Sequence, residues 1–325
     1  MNNILVIHTG GTISMKENKT TGDVSPDTKN PLHEWEEIAA EFANISVHSF
    51  LHLPSPHITP AHMMDLFRFI EQCMADKPAD GVVISHGTDT LEETAYMLDL
   101  LHHDEYPIVI TGAMRSSNEI SPDGPHNFVS SIRTAASDNA RGMGVLVVMN
   151  DEIHTAEHVT KTHSSNIATF QSPPYGPVGL ITKRGILFPR KPVKRDHFPV
   201  SKLSKKVLLI KCYAGMEEDS FRHFISQRFD GLVLEALGQG NVPPALLMPL
   251  KEVLDRGIPI VLVSRSFSGI VQDTYSYEGG GRRLKEMGII FSNGLTGPKA
   301  RLKLLAALSV NLDKYKLQHT FEQLQ

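Results

Sequence analysis

Seven short runs of aliphatic and β-branched residues recur along the chain: Ile4 to Ile7, Val82 to Ser85, Pro107 to Thr111, Val145 to Met149, Val207 to Ile210, Leu232 to Leu234 and Ile258 to Val263. Strands this apolar need cover on both faces, which an open, mainly parallel sheet flanked by helices provides. The intervening segments carry helical signals. Thr59-Pro60 is an N-cap followed by a proline at the first helical position, and Met63, Leu66, Phe67, Ile70 and Met74 follow at 3/4 spacing. Thr90-Leu91-Glu92-Glu93 fits the S/T-x-x-E capping box, with Leu91, Ala95, Leu98 and Leu101 as its apolar stripe. Further helices are predicted over Asn127 to Ser137 and Pro298 to Leu308. His102-His103, at a helix end, reads as favourable charge at the C-terminal dipole.

A chain of 325 residues has room for two α/β domains. The rhythm of strand and helix breaks between Thr182 and Lys206, where nine Lys/Arg face the single acid Asp196 and Pro189, Pro192 and Pro199 are interleaved. Prolines without periodicity read as a solvated linker rather than a phosphate-binding patch. The expected division is a larger N-terminal domain over 1–188, a basic linker over 189–206 and a smaller C-terminal α/β domain over 207–325. A formal net charge of −4 is too balanced to predict a nucleic-acid or anionic-membrane partner. Cys73 and Cys212 make neither a disulfide framework nor a metal motif, so a reducing compartment fits. The apolar run at the N-terminus is four residues long, far short of a signal-peptide core or a membrane span. A cytoplasmic location is expected.

The chemistry concentrates in the turns that follow strands. Ligands of open parallel sheets bind beyond the carboxyl ends of the strands. His8-Thr9-Gly10-Gly11-Thr12 follows the first run, and its glycine pair allows a sharp turn and close backbone approach. His86-Gly87-Thr88-Asp89-Thr90 repeats the plan after the second run. Neither the dinucleotide nor the phosphate-loop glycine pattern is present. Two edge threonines, Thr12 and Thr88, and one carboxylate, Asp89, are thereby placed to face one pocket. A threonine hydroxyl is a poor nucleophile until something takes its proton. A lysine in the polar stretch after Val145 to Met149 could reach the same edge and act as the base; Lys161 lies there, although by sequence alone it is one of many lysines. The same stretch holds His154-Thr155-Ala156-Glu157-His158, which matches H-x-x-E-H. That motif requires one helix face, and no amphipathic helical pattern supports it here, so zinc is not expected.

These motifs resemble the bacterial L-asparaginase family, amidohydrolases with a threonine nucleophile. Thr9-Gly10-Gly11-Thr12-Ile13 resembles the first family signature and Ser85 through Tyr96 the second. Further similarity runs through Gly112-Ala113-Met114-Arg115-Ser116, Ser121 through Pro125, Val159 through Thr162, Tyr175-Gly176-Pro177, Gly238-Gln239-Gly240-Asn241 and Pro298-Lys299-Ala300-Arg301. The resemblance implies hydrolysis of asparagine to aspartate and ammonia without a metal or organic cofactor. Thr12 would attack the side-chain amide, and Thr88, Asp89 and Lys161 would relay protons. Ser55 would hold the α-carboxylate and Asp89 the α-ammonium. Backbone N–H groups of Thr12 and Thr88 would hold the oxyanion, and Asn241 would approach the substrate from the C-terminal domain. It also implies self-association as a homodimer or homotetramer. The alternatives are a glutaminase-asparaginase of broad specificity and a non-catalytic amino-acid-binding module.

Three departures from the family pattern stand out. Relatives carry a tyrosine on the loop after the first signature, whereas the first tyrosine here is Tyr96; Met15 to Asn30 has the polar and turn residues of a lid. Secreted relatives have glutamine where this chain has Pro56. Where those relatives place a glutamate donated by a neighbouring subunit, this chain aligns Tyr275.

Overall fold

The computed structural model describes residues 1–18, 20–21, 23–26, 31–173, 175–192 and 194–322. They divide into two compact units, Met1–His197 and Phe198–Gln325. In the N-terminal unit the strands are β1 (Asn3–His8), β2 (Met15–Glu17), β3 (Val24–Pro26), β4 (Asn44–Ser49), β5 (Gly81–Ser85), β6 (Ile108–Thr111), β7 (Val145–Met149), β8 (Glu152–Thr155), β9 (Thr160–Lys161), β10 (Phe170–Gln171), β11 (Gly179–Thr182) and β12 (Gly185–Leu187). Its helices are α1 (His33–Ala39), α2 (Pro60–Asp76), α3 (Leu91–Leu101) and α4 (Gly124–Ala135). Eight strands form one sheet in the order β12-β11-β8-β7-β6-β5-β1-β4. The run from β7 to β4 is parallel, and β8, β11 and β12 extend it antiparallel.

Alternating side chains explain why the central strands read as uninterrupted apolar runs. Ile4, Val6, Val83, Val109, Leu146 and Val148 pack with Phe128 and Ile132 of α4 on one face. Leu5, Ile7, Val82, Ile84, Ile110 and Val147 pack with Leu66 and Ile70 of α2 and Leu91, Ala95 and Leu98 of α3 on the other. Each strand is buried on both faces, as parallel α/β sheets require. The α2 cap forms as expected at Thr59, whose hydroxyl oxygen accepts from the His62 N–H, with Pro60 in the first turn. Helix α4 begins three residues earlier than predicted, at Gly124. The Asp123 carboxylate accepts the Met114 and Arg115 N–H groups at 3.0 and 2.9 Å and fixes the chain just ahead of it.

The C-terminal unit contains β13 (Val207–Lys211), α5 (Glu218–Ile225), β14 (Gly231–Ala236), α6 (Leu247–Asp255), β15 (Ile260–Ser264), α7 (Gly281–Glu286), β16 (Ile290–Phe291), α8 (Gly297–Ser309) and α9 (Lys314–Glu322). Its sheet, β13-β14-β15-β16, is wholly parallel. Strand β15 starts after Pro259, which has no N–H to give to a ladder.

Two sequence expectations need correction. The basic stretch is not uniformly solvated. Arg195 pairs with the buried Asp99 at 3.0 Å, and Arg190 donates to the carbonyls of Tyr175 and Pro177, so these cations tie the stretch to the N-terminal unit. The division between units falls at 197–198, inside the predicted linker. His102 does not charge the end of α3. It is 1% exposed, and burial pushes its pKa down to about 4.

Candidate active site

The carboxyl ends of β1, β5 and β6 are level, with His8 paired to Ser85 and Ser85 to Thr111. The loops that leave these strands therefore start side by side. Thr9 locks the first loop to the second: its N–H and its hydroxyl both donate to the Ser85 carbonyl, at 3.1 and 2.9 Å. Gly10 and Gly11 adopt φ of 103° and 88°, a region that β-carbon-bearing residues rarely occupy. A β-carbon on Gly11 would sit 2.2 Å from Gly87 Cα, and one on Gly87 would sit 2.7 Å from Ser55 Cβ. Glycine at both places lets the loops touch. Thr12 and Thr88, each one residue beyond such a glycine, come to neighbouring positions on the edge. Thr12 opens the short 3-10 turn Thr12–Ser14 and stays half-buried.

Beneath Thr88, His86 acts as a strut. It is 1% exposed, its Nδ1 meets the Gly87 carbonyl at 2.7 Å and its Nε2 meets the Thr94 hydroxyl at 3.0 Å. A carbonyl only accepts, so Nδ1 carries the proton and Nε2 accepts from Thr94. Burial lowers its pKa to about 4, and the ring is neutral at physiological pH. With both nitrogens engaged, it holds the Gly87 turn and is not the base of the site.

Lys161 is brought to this edge as the sequence predicted. Its Nζ donates to Thr88 Oγ1 at 3.0 Å and to Asp89 Oδ1 at 2.7 Å. The lysine side chain is 15% exposed and the aspartate side chain 58%, so the pair lies at the mouth of the site with the ammonium inward. Ser55 joins from the turn before α2. Buried, it accepts the Asp89 N–H on Oγ at 3.1 Å, and its carbonyl accepts the Thr90 hydroxyl at 2.8 Å. That second bond overturns the predicted capping box. Thr90 is the N-cap of α3 but makes no side-chain cap bond, because its hydroxyl is spent on Ser55.

Sequence reasoning missed the role of Glu92. From the first turn of α3, its Oε1 accepts the Thr160 hydroxyl at 3.1 Å and the Lys161 N–H at 3.2 Å. The carboxylate thus fixes β9, the two-residue strand that carries Lys161 and pairs with β10. The only available signal was a glutamate in excess of what the capping box needed.

Asn241 belongs to the C-terminal unit, where its Oδ1 accepts the Gly281 N–H at 3.3 Å. Tyr275 lies in the same unit, exposed and tilted against Tyr277. Of the predicted lid, residues 19, 22 and 27–30 lie outside the described residues, and the rest includes the antiparallel pair β2 and β3. Tyr96 is buried in α3. The H-x-x-E-H stretch begins on β8 and ends in a turn. His154 is buried against Ser172, and His158 stacks on Tyr175 at 4.0 Å, so the two histidines share no helix face.

The family description "Asparaginase, N-terminal" matches residues 3–194, and "Glutaminase/Asparaginase C-terminal domain" matches residues 206–321. The chain is similar to a probable L-asparaginase of Deinococcus radiodurans, with 38% identity covering 98% of this chain and 97% of that protein. It is 34% identical to an L-asparaginase of Bacillus licheniformis, covering 94% and 95%. A solved structure described as a probable cytoplasmic L-asparaginase, from Campylobacter jejuni, superposes with a TM-score of 0.88 at 30% identity and covers 100% of both chains. No described helix is long and apolar enough to cross a membrane. With both halves matched in order and relatives aligned from end to end, the chain belongs to the asparaginase family.

Proposed function

We propose that this chain hydrolyses L-asparagine to L-aspartate and ammonia through an aspartyl ester on Thr12. The observation that carries the reading is the contact of Lys161 Nζ with both Thr88 Oγ1 and Asp89 Oδ1, set on the strand edge beside the Gly-Gly-Thr turn. A pocket that only bound an amino acid would need neither a nucleophile nor a base.

In this scheme the Thr12 hydroxyl gives up its proton to the Thr88–Lys161 proton path as its Oγ attacks the side-chain amide carbon. A proton is delivered along that path to the amide nitrogen, and the tetrahedral oxyanion collapses with loss of ammonia. Water then cleaves the ester and frees Thr12. Thr88 and Lys161 form the proton path, in which Lys161 exchanges a proton with the Thr88 hydroxyl, and Asp89 holds the lysine. Backbone N–H groups of Thr12 and Thr88 bind the oxyanion, each worth about 3–4 kcal/mol in comparable sites. Ser55 Oγ accepts the Asp89 N–H, which leaves its own proton for a substrate α-carboxylate, while Asp89 draws the α-ammonium. The chain works as a homodimer or homotetramer in the cytoplasm, and Asn241 contributes to substrate binding. Light scattering at micromolar concentration is expected to give the mass of a dimer or larger; a fully active monomer would refute the assembly.

The description "Glutaminase/Asparaginase C-terminal domain" favours a second reading, hydrolysis of glutamine as well. Glutamine is longer by one methylene, which a pocket discriminates by only about 1–3 kcal/mol, or about 10 to 200-fold. A reacting carbon misplaced by about 1 Å costs about 100-fold in rate. The resemblance aligns Pro56 and Tyr275 where relatives carry extended polar side chains, and on this reading the longer amide has less room. We expect kcat/KM for asparagine to exceed that for glutamine by at least about tenfold. D-Asparagine is expected to be poor because inversion separates the carboxylate and ammonium contacts. Ammonia release measured for both L-amides decides this, and values within about threefold of each other would establish the broader enzyme.

A further inference from the structure

At the amino-terminal edge of the sheet, opposite the catalytic loops, three side chains from separate segments converge. A ring nitrogen of His102 and one carboxylate oxygen each from Glu71 and Asp104 lie within 4.8 Å of one another. Glu71 comes from α2, His102 follows the last residue of α3, and Asp104 sits in the turn that leads into β6. Among the described residues this is the one such grouping of His, Cys, Asp and Glu.

The hydrogen bonding of His102 shows where its lone pair is. The ring is 1% exposed, and its Nε2 lies 2.8 Å from the Tyr106 carbonyl. Because that oxygen only accepts, Nε2 carries the proton and Nδ1 holds an unshared pair. Nδ1 is buried and has no hydrogen-bond partner. A buried acceptor without a donor is costly and rare in native proteins. A cation coordinated at Nδ1 would satisfy it.

The surroundings are those of an oriented ligand set. Metal-binding histidines commonly donate their second ring N–H to a carbonyl or carboxylate, and metal-binding carboxylates are themselves hydrogen-bonded. Tyr106 supplies both contacts: its carbonyl takes the His102 proton, and its hydroxyl donates to Glu71 Oε1 at 2.8 Å. Glu71 is exposed and Asp104 half-buried, so their carboxylates can close to the roughly 2.0–2.2 Å that zinc–oxygen bonds require.

We propose that His102, Glu71 and Asp104 bind one divalent cation of the zinc class, with water completing the coordination. One imidazole and two carboxylates suit a borderline first-row ion better than the all-oxygen sets of calcium and magnesium. The site fastens α2 to the connection between α3 and β6. Its place away from Thr12, Thr88 and Lys161 makes it a structural site and not a catalytic one.

The test uses the full-length chain freed of metal by dialysis against EDTA and then titrated with Zn²⁺ by calorimetry, with thermal unfolding followed in EDTA and in excess Zn²⁺. One equivalent of Zn²⁺ is expected to bind, with a Tm that rises with zinc concentration. The double variant Glu71→Gln/Asp104→Asn replaces exposed and half-buried carboxylates and is expected to fold. It should bind at least about tenfold more weakly and lose the Tm shift. His102→Gln should behave likewise, and if it fails to fold the double variant decides. Absence of a zinc equivalent in the wild-type chain would overturn the proposal. So would zinc affinity in the double variant within about threefold of wild type, since the ion would then be held elsewhere, at Cys73 or at exposed histidines.

Discussion

Replacing Thr12 with alanine is expected to lower kcat for asparagine by at least three orders of magnitude, about 4 kcal/mol of transition-state stabilisation. The size follows from the covalent role. Without the Thr12 hydroxyl the acyl intermediate cannot form, and the oxyanion donors and bound α-groups are left to assist direct attack by water, which is far slower. Thr12→Ser keeps a hydroxyl on the same backbone and is expected to retain part of the activity. The fold should survive both changes, because Thr12 is half-buried and starts a short turn whose geometry is set by Gly10 and Gly11. Steady-state ammonia release with circular dichroism on each variant checks the expectation. A Thr12→Ala enzyme within about tenfold of wild type would remove Thr12 from the nucleophile role.

The second large effect is expected at Lys161. Lys161→Met keeps much of the aliphatic stem and deletes the ammonium that contacts Thr88 Oγ1 and Asp89 Oδ1. A loss in kcat comparable to that of Thr12→Ala is expected, with a smaller change in KM, because the proposed work of the amine is proton transfer. The backbone placement should persist. Glu92 holds the Lys161 N–H and the Thr160 hydroxyl, and Phe170 and Gln171 pair with the same strand, none of which uses the lysine side chain. A variant that lost affinity for asparagine while keeping kcat would move Lys161 from proton transfer to substrate binding.

Much of this was legible in the chain because the governing signals are local. A strand buried on both faces must be apolar at every position, so β1, β5, β6 and β7 stand out as runs, and the turns that follow them fall at the carboxyl edge by topology alone. The sheet margins gave no such signal. Strand β4 reads NISVHS with both ends exposed, and β8, β11 and β12, at the opposite side, are segments of only three or four residues. Strand β4 pairs with β1, Asn3 opposite Asn44, and β11 with β8, Gly179 opposite Ile153, partners far away in sequence that nothing in the segments records. Strands β8 and β12 instead fold back as hairpins on β7 and β11 from segments too short to show alternation. Thr90 and His102 show the same limit at single residues. A capping pattern and a helix-end histidine are local inferences, and each gave way to a tertiary fact: the Ser55 carbonyl within reach of Thr90 Oγ1, and burial of the His102 ring. Lys161 was found through resemblance to a family, since no periodicity distinguishes it from the other lysines of the chain. Glu92 was overlooked because its two bonds go to residues 68 and 69 positions away.

The central claim is hydrolysis of the asparagine side chain through Thr12. Ammonia and aspartate released from L-asparagine by the purified chain, measured together for wild type and Thr12→Ala, test it most directly. Sustained release of the two products in equal amounts by wild type, abolished in the folded Thr12→Ala variant, is the predicted result. No ammonia from asparagine, or equal release by both proteins, would contradict it.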